Sequence, residues 1–177
     1  MPYLTAAVIV LTVLLGLNLL LTFGVVRRLR EHTKQLAELA SSTRGGLPKA
    51  GSTIEQFVAE TVDNRPISRD MLADGSIAAF FSPSCEPCKT TLPEFVTYAT
   101  TFPGGRDRLL AVIVGNEDSA DMVAALSPVA RVVLDDKDEV AKAFGVQAFP
   151  TLCLLGPDHT IDAAAHDLSV LPTPVKA

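Results

Sequence analysis

A chain of 177 residues, 48% hydrophobic and with a formal net charge of −5, has room for one ordinary domain and an additional segment. The charge is uneven: residues 27–44 hold five basic and two acidic side chains, while the rest of the chain holds 10 basic and 18 acidic, a net of −8. An acidic body with no basic patch argues against a nucleic-acid partner, because binding a phosphate backbone needs a positive surface.

From Tyr3 to Val26 no residue is charged, and this run of 24 exceeds the roughly 20 that an α-helix needs to cross a hydrocarbon core. A cleaved signal peptide would show a shorter apolar region, a basic start and a small-residue cleavage site. None of the three is found, so residues 1–26 are predicted to be an uncleaved transmembrane helix. RRLREHTKQLAELAS then predicts a short polar helix, too brief for the three or more heptads of a coiled coil. Turn-forming residues 41–48 follow, which makes 27–49 a juxtamembrane helix and linker and starts the domain at residue 50.

Within the domain the signals alternate between strand and helix. Gln56–Val62 reads as a strand closed by the turn Asp63-Asn64-Arg65-Pro66, and Ser68 as the cap of a short helix RDML. IAAFF, Ile77–Phe81, is apolar throughout and suits a buried strand. Pro87–Phe102 suits a helix with Pro93 as a kink. Leu109–Val114 and Arg131–Leu134 read as strands, with helices over Glu117–Leu126 and Asp138–Phe144, the latter ending at Gly145. Thr151–Leu155 is a further strand, turned by Gly156-Pro157-Asp158-His159 into Thr160–Ala163. Such alternation predicts an α/β domain, a mixed sheet covered on both faces. Ala164–Leu171 leaves room for only a short last helix or none, and 167–177 is predicted to be a flexible tail.

The chemistry centres on SPSCEPCK, Ser82–Lys89. A C-x-x-C pair serves a redox disulfide, half of a zinc site, or two inert thiols. Zinc needs four ligands, and Cys153, His32, His159 and His166 supply no second pair at ligand spacing. The setting after a buried strand and at the start of a helix favours redox chemistry, because unpaired N–H groups there stabilise a thiolate. Cys85 is then the exposed nucleophile and Cys88, one turn later, the buried resolving thiol. Pro87 is tolerated in the first helical turn because its missing N–H would be unpaired anyway. Glu86, an exposed carboxylate, is expected to oppose a thiolate at Cys85 and so to tune the pair. Cys153 reads as a small buried residue on a strand. No metal site is expected.

FFSPSCEPCKTTLPEF, taken with VVLDDKDEVAKAFGVQAFPTLCLLGPDHTI, resembles the thioredoxin superfamily. More narrowly, it resembles the membrane-anchored extracytoplasmic thiol–disulfide oxidoreductases: the TlpA-like, cytochrome c maturation and methylamine-utilisation accessory proteins. The resemblance covers about residues 50–165. It implies a thioredoxin-like mixed sheet flanked by helices over 50–166, a cis-proline at Pro150 facing the cysteines, and Phe149 pairing its backbone with an extended substrate chain. It implies protein disulfides or dithiols as substrates, a thiol electron donor, and no cofactor. Three positions depart from the pattern. Ser84 stands where many relatives carry Trp, Ala79 where thioredoxins carry a buried acid, and Thr91 where TlpA-like proteins often carry Glu. Both usual proton acceptors for Cys88 are therefore missing.

Arg27, Arg28 and Arg30 directly after the apolar run place the domain in the cytoplasm by the positive-inside rule. The family resemblance places it outside, and a single-pass membrane protein with an extracytoplasmic domain is the expectation adopted. Two rival readings stand. A peroxiredoxin-type peroxidase would need Ser or Thr three residues before its cysteine, which Ser82 supplies, and Pro seven before, where Ala78 stands. A binding or assembly protein would use the fold only as a surface.

Overall fold

The computed structural model describes residues 46–115 and 118–172, together with Gly16 alone. The predicted transmembrane helix 1–26 lies outside them except for Gly16, and most of the juxtamembrane segment and residues 173–177 of the tail also lie outside them. Among the described residues, no helix is long and apolar enough to cross a membrane.

The elements are numbered in chain order: β1 (Val58–Glu60), β2 (Pro66–Ser68), β3 (Ile77–Phe81), α1 (Glu86–Ala99), β4 (Leu109–Val114), α2 (Ala120–Leu126), β5 (Arg131–Asp135), α3 (Glu139–Ala143), β6 (Thr151–Leu155) and β7 (Ile161–Ala165). Five strands form one mixed sheet in the order β5-β4-β3-β6-β7. β3 runs parallel to β4 and β4 to β5, while β6 is antiparallel to both β3 and β7. This is the mixed sheet with flanking helices that the resemblance implies.

Every residue of β3 and β4 is buried, as expected for central strands covered on both faces. Period-two alternation divides them between two cores. Ala78, Phe80, Leu110 and Val112 face one layer, where Phe144 meets Phe80 edge-on at 5.0 Å and Phe57 at 5.8 Å. Ile77, Ala79, Phe81, Leu109, Ala111 and Ile113 face the other layer, covered by α1 and α2, where Phe81 meets Phe95 at 5.7 Å. Helix α1 turns Cys88, Thr91, Phe95 and Ala99 into that layer. Their spacing of three or four residues keeps them on one helical face.

Several expectations are corrected. The strand predicted over 56–62 shrinks to β1, paired antiparallel with β2 as a separate two-stranded ribbon. Asn64 adopts φ 56° in the intervening turn, a left-handed conformation that Asn tolerates better than most residues. Ser68 precedes only a three-residue 3-10 turn, Arg69–Met71, and its side chain caps nothing. The predicted helix 117–126 begins at Ala120. The strand expected to end at Ala163 runs to Ala165. The stretch with room for only a short last helix or none holds one 3-10 turn, Leu168–Val170, which agrees with that expectation.

The packed region is also wider than 50–166. Gly46 and Pro48 are buried, and Gln147 N–H donates to the Gly46 carbonyl at 2.9 Å. A Cβ at Gly46 would fall 2.6 Å from that of Ala148, so the approach requires glycine. At the other end Leu171 is buried against the α1 layer, and the Tyr98 hydroxyl donates to the Pro172 carbonyl at 2.9 Å.

Candidate active site

The chain leaves the buried end of β3 and turns through Ser82–Cys85, closed by Cys85 N–H donating to the Ser82 carbonyl at 3.1 Å. The Ser82 and Ser84 hydroxyls lie 3.2 Å apart across this turn. Helix α1 begins at Glu86, so Cys85 is itself the N-cap, with extended φ/ψ of −88° and 110°. Its sulfur takes the place of the usual capping oxygen and accepts the Cys88 N–H at 3.3 Å. Pro87, in the first turn, removes an N–H that the helix would have left unpaired.

Cys85 is half-buried and Cys88 fully buried, and neither is in a disulfide. The Phe149–Pro150 peptide is cis, as the resemblance implies. The Cys85 thiol donates to the Phe149 carbonyl at 3.2 Å, so the residue before the cis-proline touches the first cysteine across 64 positions of sequence. Phe149 is only partly buried and packs against both core layers, just before β6.

Burial pushes the Cys88 thiol up to about 12, with the Cys85 thiol beside it adding to the shift. Among the described residues, no carboxylate acts on it. Ala79 is buried in the same layer with no polar atom to offer, and the Thr91 hydroxyl donates to the Pro87 carbonyl at 3.2 Å. The two positions where relatives carry an acid therefore hold an apolar side chain and a hydroxyl already committed to the backbone.

Glu86, expected to tune the pair, has a cationic neighbour. Lys89, one turn along the exposed surface of α1, binds the Glu86 carboxylate at 2.7 Å. The ammonium offsets the negative charge that would have opposed a thiolate. Cys153 lies on β6 facing the opposite core layer from Cys88, and burial pushes its thiol up to about 12. It is thus separated from the pair by the sheet itself. Among the described residues, no group of three or more His, Cys, Asp and Glu is arranged to hold a metal.

One residue, weighed in the sequence only as a zinc ligand, belongs beside the cis-proline. His166 Nδ1 lies 2.6 Å from the Pro150 carbonyl and, since that oxygen only accepts, must carry the proton. The β6/β7 register pairs Leu152 with Ala165 and so brings the next residue to the entry of β6. Only that register reveals it, because His166 carries no motif of its own.

Residues 50–164 match the family model described as the AhpC/TSA family, and the chain belongs to that family. It is 28% identical over 104 residues to sporulation thiol-disulfide oxidoreductase A of Bacillus subtilis, covering 56% of this chain and 63% of that protein. It is 29% identical over 111 residues to the thiol-disulfide oxidoreductase ResA of the same organism, covering 61% and 62%. The chain thus spans a little under two thirds of the length of both. The crystal structure of StoA from Bacillus subtilis is similar with a TM-score of 0.52 and 25% identity, over 64% of this chain and 88% of that one.

Proposed function

We propose that this protein is a thiol–disulfide oxidoreductase that reduces disulfides in partner proteins. The observation that carries the reading is the position of the Cys85 sulfur. It caps the helix that holds Cys88 and touches the carbonyl that precedes a cis-proline. Two relatives named as thiol-disulfide oxidoreductases support the same chemistry.

The Cys85 thiolate attacks one sulfur of a partner disulfide. That S–S bond breaks, a mixed disulfide forms, and the other partner sulfur leaves as a thiolate. The helix N-terminus and the Cys88 N–H favour negative charge on the attacking sulfur. Cys88 then loses its proton and attacks the Cys85 sulfur. The Cys85–Cys88 disulfide forms and the partner departs as a dithiol, having gained two electrons. A thiol donor later returns them to the pair. In the mixed disulfide the Phe149 carbonyl, no longer bonded to the Cys85 thiol, is free to accept an N–H from an extended partner chain. The uncharged run 3–26 supports a membrane tether, and the family resemblance, against the arginines that follow the run, supports a domain outside the cytoplasm.

Reduction of insulin by dithiothreitol tests the activity. The full-length protein accelerates precipitation of the insulin B chain, and Cys85→Ser abolishes the acceleration. Equal rates for the two would reject the reading. Turnover of hydrogen peroxide by Cys85 would favour the peroxidase instead. An alkaline-phosphatase fusion at the C-terminus is active if the domain is exported; an expressed but inactive fusion contradicts the assigned side.

A further inference from the structure

A second site lies at the other end of the sheet. β3, β4 and β5 are parallel, and the cysteines follow the C-terminal end of β3. A cavity of about 330 Å³ opens beside the N-terminal ends of β4 and β5, between the β1–β2 turn and the 3-10 turn Gly105–Arg108. Strands of five or six residues separate the two ends by roughly 17–20 Å. Three arginines and two aspartates line the cavity, a net charge of +1.

The arginines are not equivalent. Arg106 is satisfied: its Nε donates to the Ser127 carbonyl at 2.8 Å and to Ala130 at 3.0 Å, and its guanidinium is paired with Asp63. Arg131 is not. Its Nε is buried with no hydrogen-bond partner. Burial holds its guanidinium below the usual arginine range; the Asp107 charge works against that shift and the Arg106 charge adds to it. A buried Nε–H of a charged group without an acceptor is a costly arrangement, since hydrogen bonds to charged groups are worth more than neutral ones and an unmade bond forfeits them. Met71 and Pro66 supply an apolar wall beside it.

We propose that this cavity binds a small organic monocarboxylate, its oxygens taken by the Arg131 guanidinium and its apolar body resting on Met71 and Pro66. The planar fork of arginine matches a carboxylate in geometry. A lining charge of +1 neutralises one negative charge; a phosphate dianion would leave excess charge beside Asp107. The volume is at the lower end for small-molecule sites. The carboxylate comes either from a free acid or from the C-terminus of a polypeptide. The site is independent of the cysteine pair and stands or falls without it.

The test is an NMR titration of the full-length protein in detergent micelles, following the Thr61 and Arg65 amides and the Arg131 Nε–H. The probes are 4-methylpentanoate, for a free acid, and N-acetyl-leucine, for a chain terminus. The controls are their carboxamides and inorganic phosphate. Saturable shifts with a Kd on the order of 1 mM are expected for one or both carboxylates, and whichever binds tighter names the source. The carboxamides bind at least about tenfold more weakly. Arg131→Lys keeps the charge but loses the fork and costs about tenfold. Asp107→Asn, at an exposed position, removes a repelling charge and tightens binding about threefold, which keeps the test decisive should the Arg131 variant not fold. Shifts that do not saturate by about 50 mM, or that are equal for acid and amide, overturn the proposal. So does phosphate binding as tightly as the carboxylates, or binding unchanged by both substitutions.

Discussion

At the scale of single residues, the three cysteines differ by environment rather than by chemistry. Cys85 is half-buried, whereas Cys88 and Cys153 have no exposed surface. Iodoacetamide at neutral pH should therefore label Cys85 first, Cys88 far more slowly, and Cys153 only after unfolding; mass mapping of partly labelled protein checks the order. Labelling of Cys153 in the folded protein at the Cys85 rate would contradict the packing. The missing proton acceptor has a kinetic consequence. With no carboxylate among the described residues acting on the Cys88 thiol and burial holding it up at about 12, release of the partner from the mixed disulfide should accelerate about tenfold per pH unit from pH 6 to 9. Stopped-flow measurement of that step reads it, and a plateau near neutrality would reveal an acceptor. His166 should act as a positioning residue for the Pro150 carbonyl. His166→Leu should reduce kcat/KM for insulin several-fold, while His166→Asn, which keeps an N–H donor, restores part of it at equal thermal stability. The pair itself was legible in the sequence. The Lys89 neutralisation of Glu86 was not fully legible: their spacing permits the contact, but the bond depends on side-chain conformation.

At the scale of elements, what was legible follows from burial. IAAFF, LLAVIV and TLCLL are continuous apolar runs because both faces of their strands are covered, and all three are strands where expected. The β1–β2 ribbon was illegible in part because β2 starts at Pro66, which reads as punctuation, and spans only three residues. Helix α3 illustrates a cap that the adjacent residue does not provide. Asp138, the N-cap, has a left-handed φ of 58° and makes no side-chain cap bond. Asp135, at the end of β5, reaches over instead: its two carboxylate oxygens accept Glu139 N–H at 2.8 Å and Ala141 N–H at 2.9 Å. The buried acid on this strand end is thus consumed by a helix terminus and not by the cysteines. Asp135→Ala should cost about 2–3 kcal/mol, since it strands two backbone donors at a largely buried site, whereas Asp138→Ala should cost under about 1 kcal/mol. Urea denaturation of both variants measures the difference; equal losses would contradict the assignment of the cap.

At the scale of the whole molecule, two buried thiols make stability depend on alkaline pH. Burial raises both Cys88 and Cys153 from an ordinary 9.0 to about 12 in the folded protein. Below pH 9 folded and unfolded chains both keep these protons, and the stabilising effect of burying neutral thiols is fully present. Between about 9 and 12 the unfolded chain releases protons that the folded chain retains, so stability falls as pH rises, by up to about 1.4 kcal/mol per unit for each thiol. The urea midpoint should drop across that range, and Cys153→Ala should flatten the drop; an unchanged slope would show that Cys153 is not protected. The fold of the domain was visible in its alternating elements. Its outer limits were not, because Gly46, Pro48 and Leu171 sit in turn-forming sequence and their burial depends on long-range contacts. The central claim is that Cys85 attacks and Cys88 resolves. Full-length Cys88→Ser, incubated with disulfide-bonded protein and separated without reductant, should accumulate a covalent adduct that dithiothreitol releases, while Cys85→Ser accumulates none. Absence of any adduct with Cys88→Ser, or adducts of equal yield in both variants, would contradict the account.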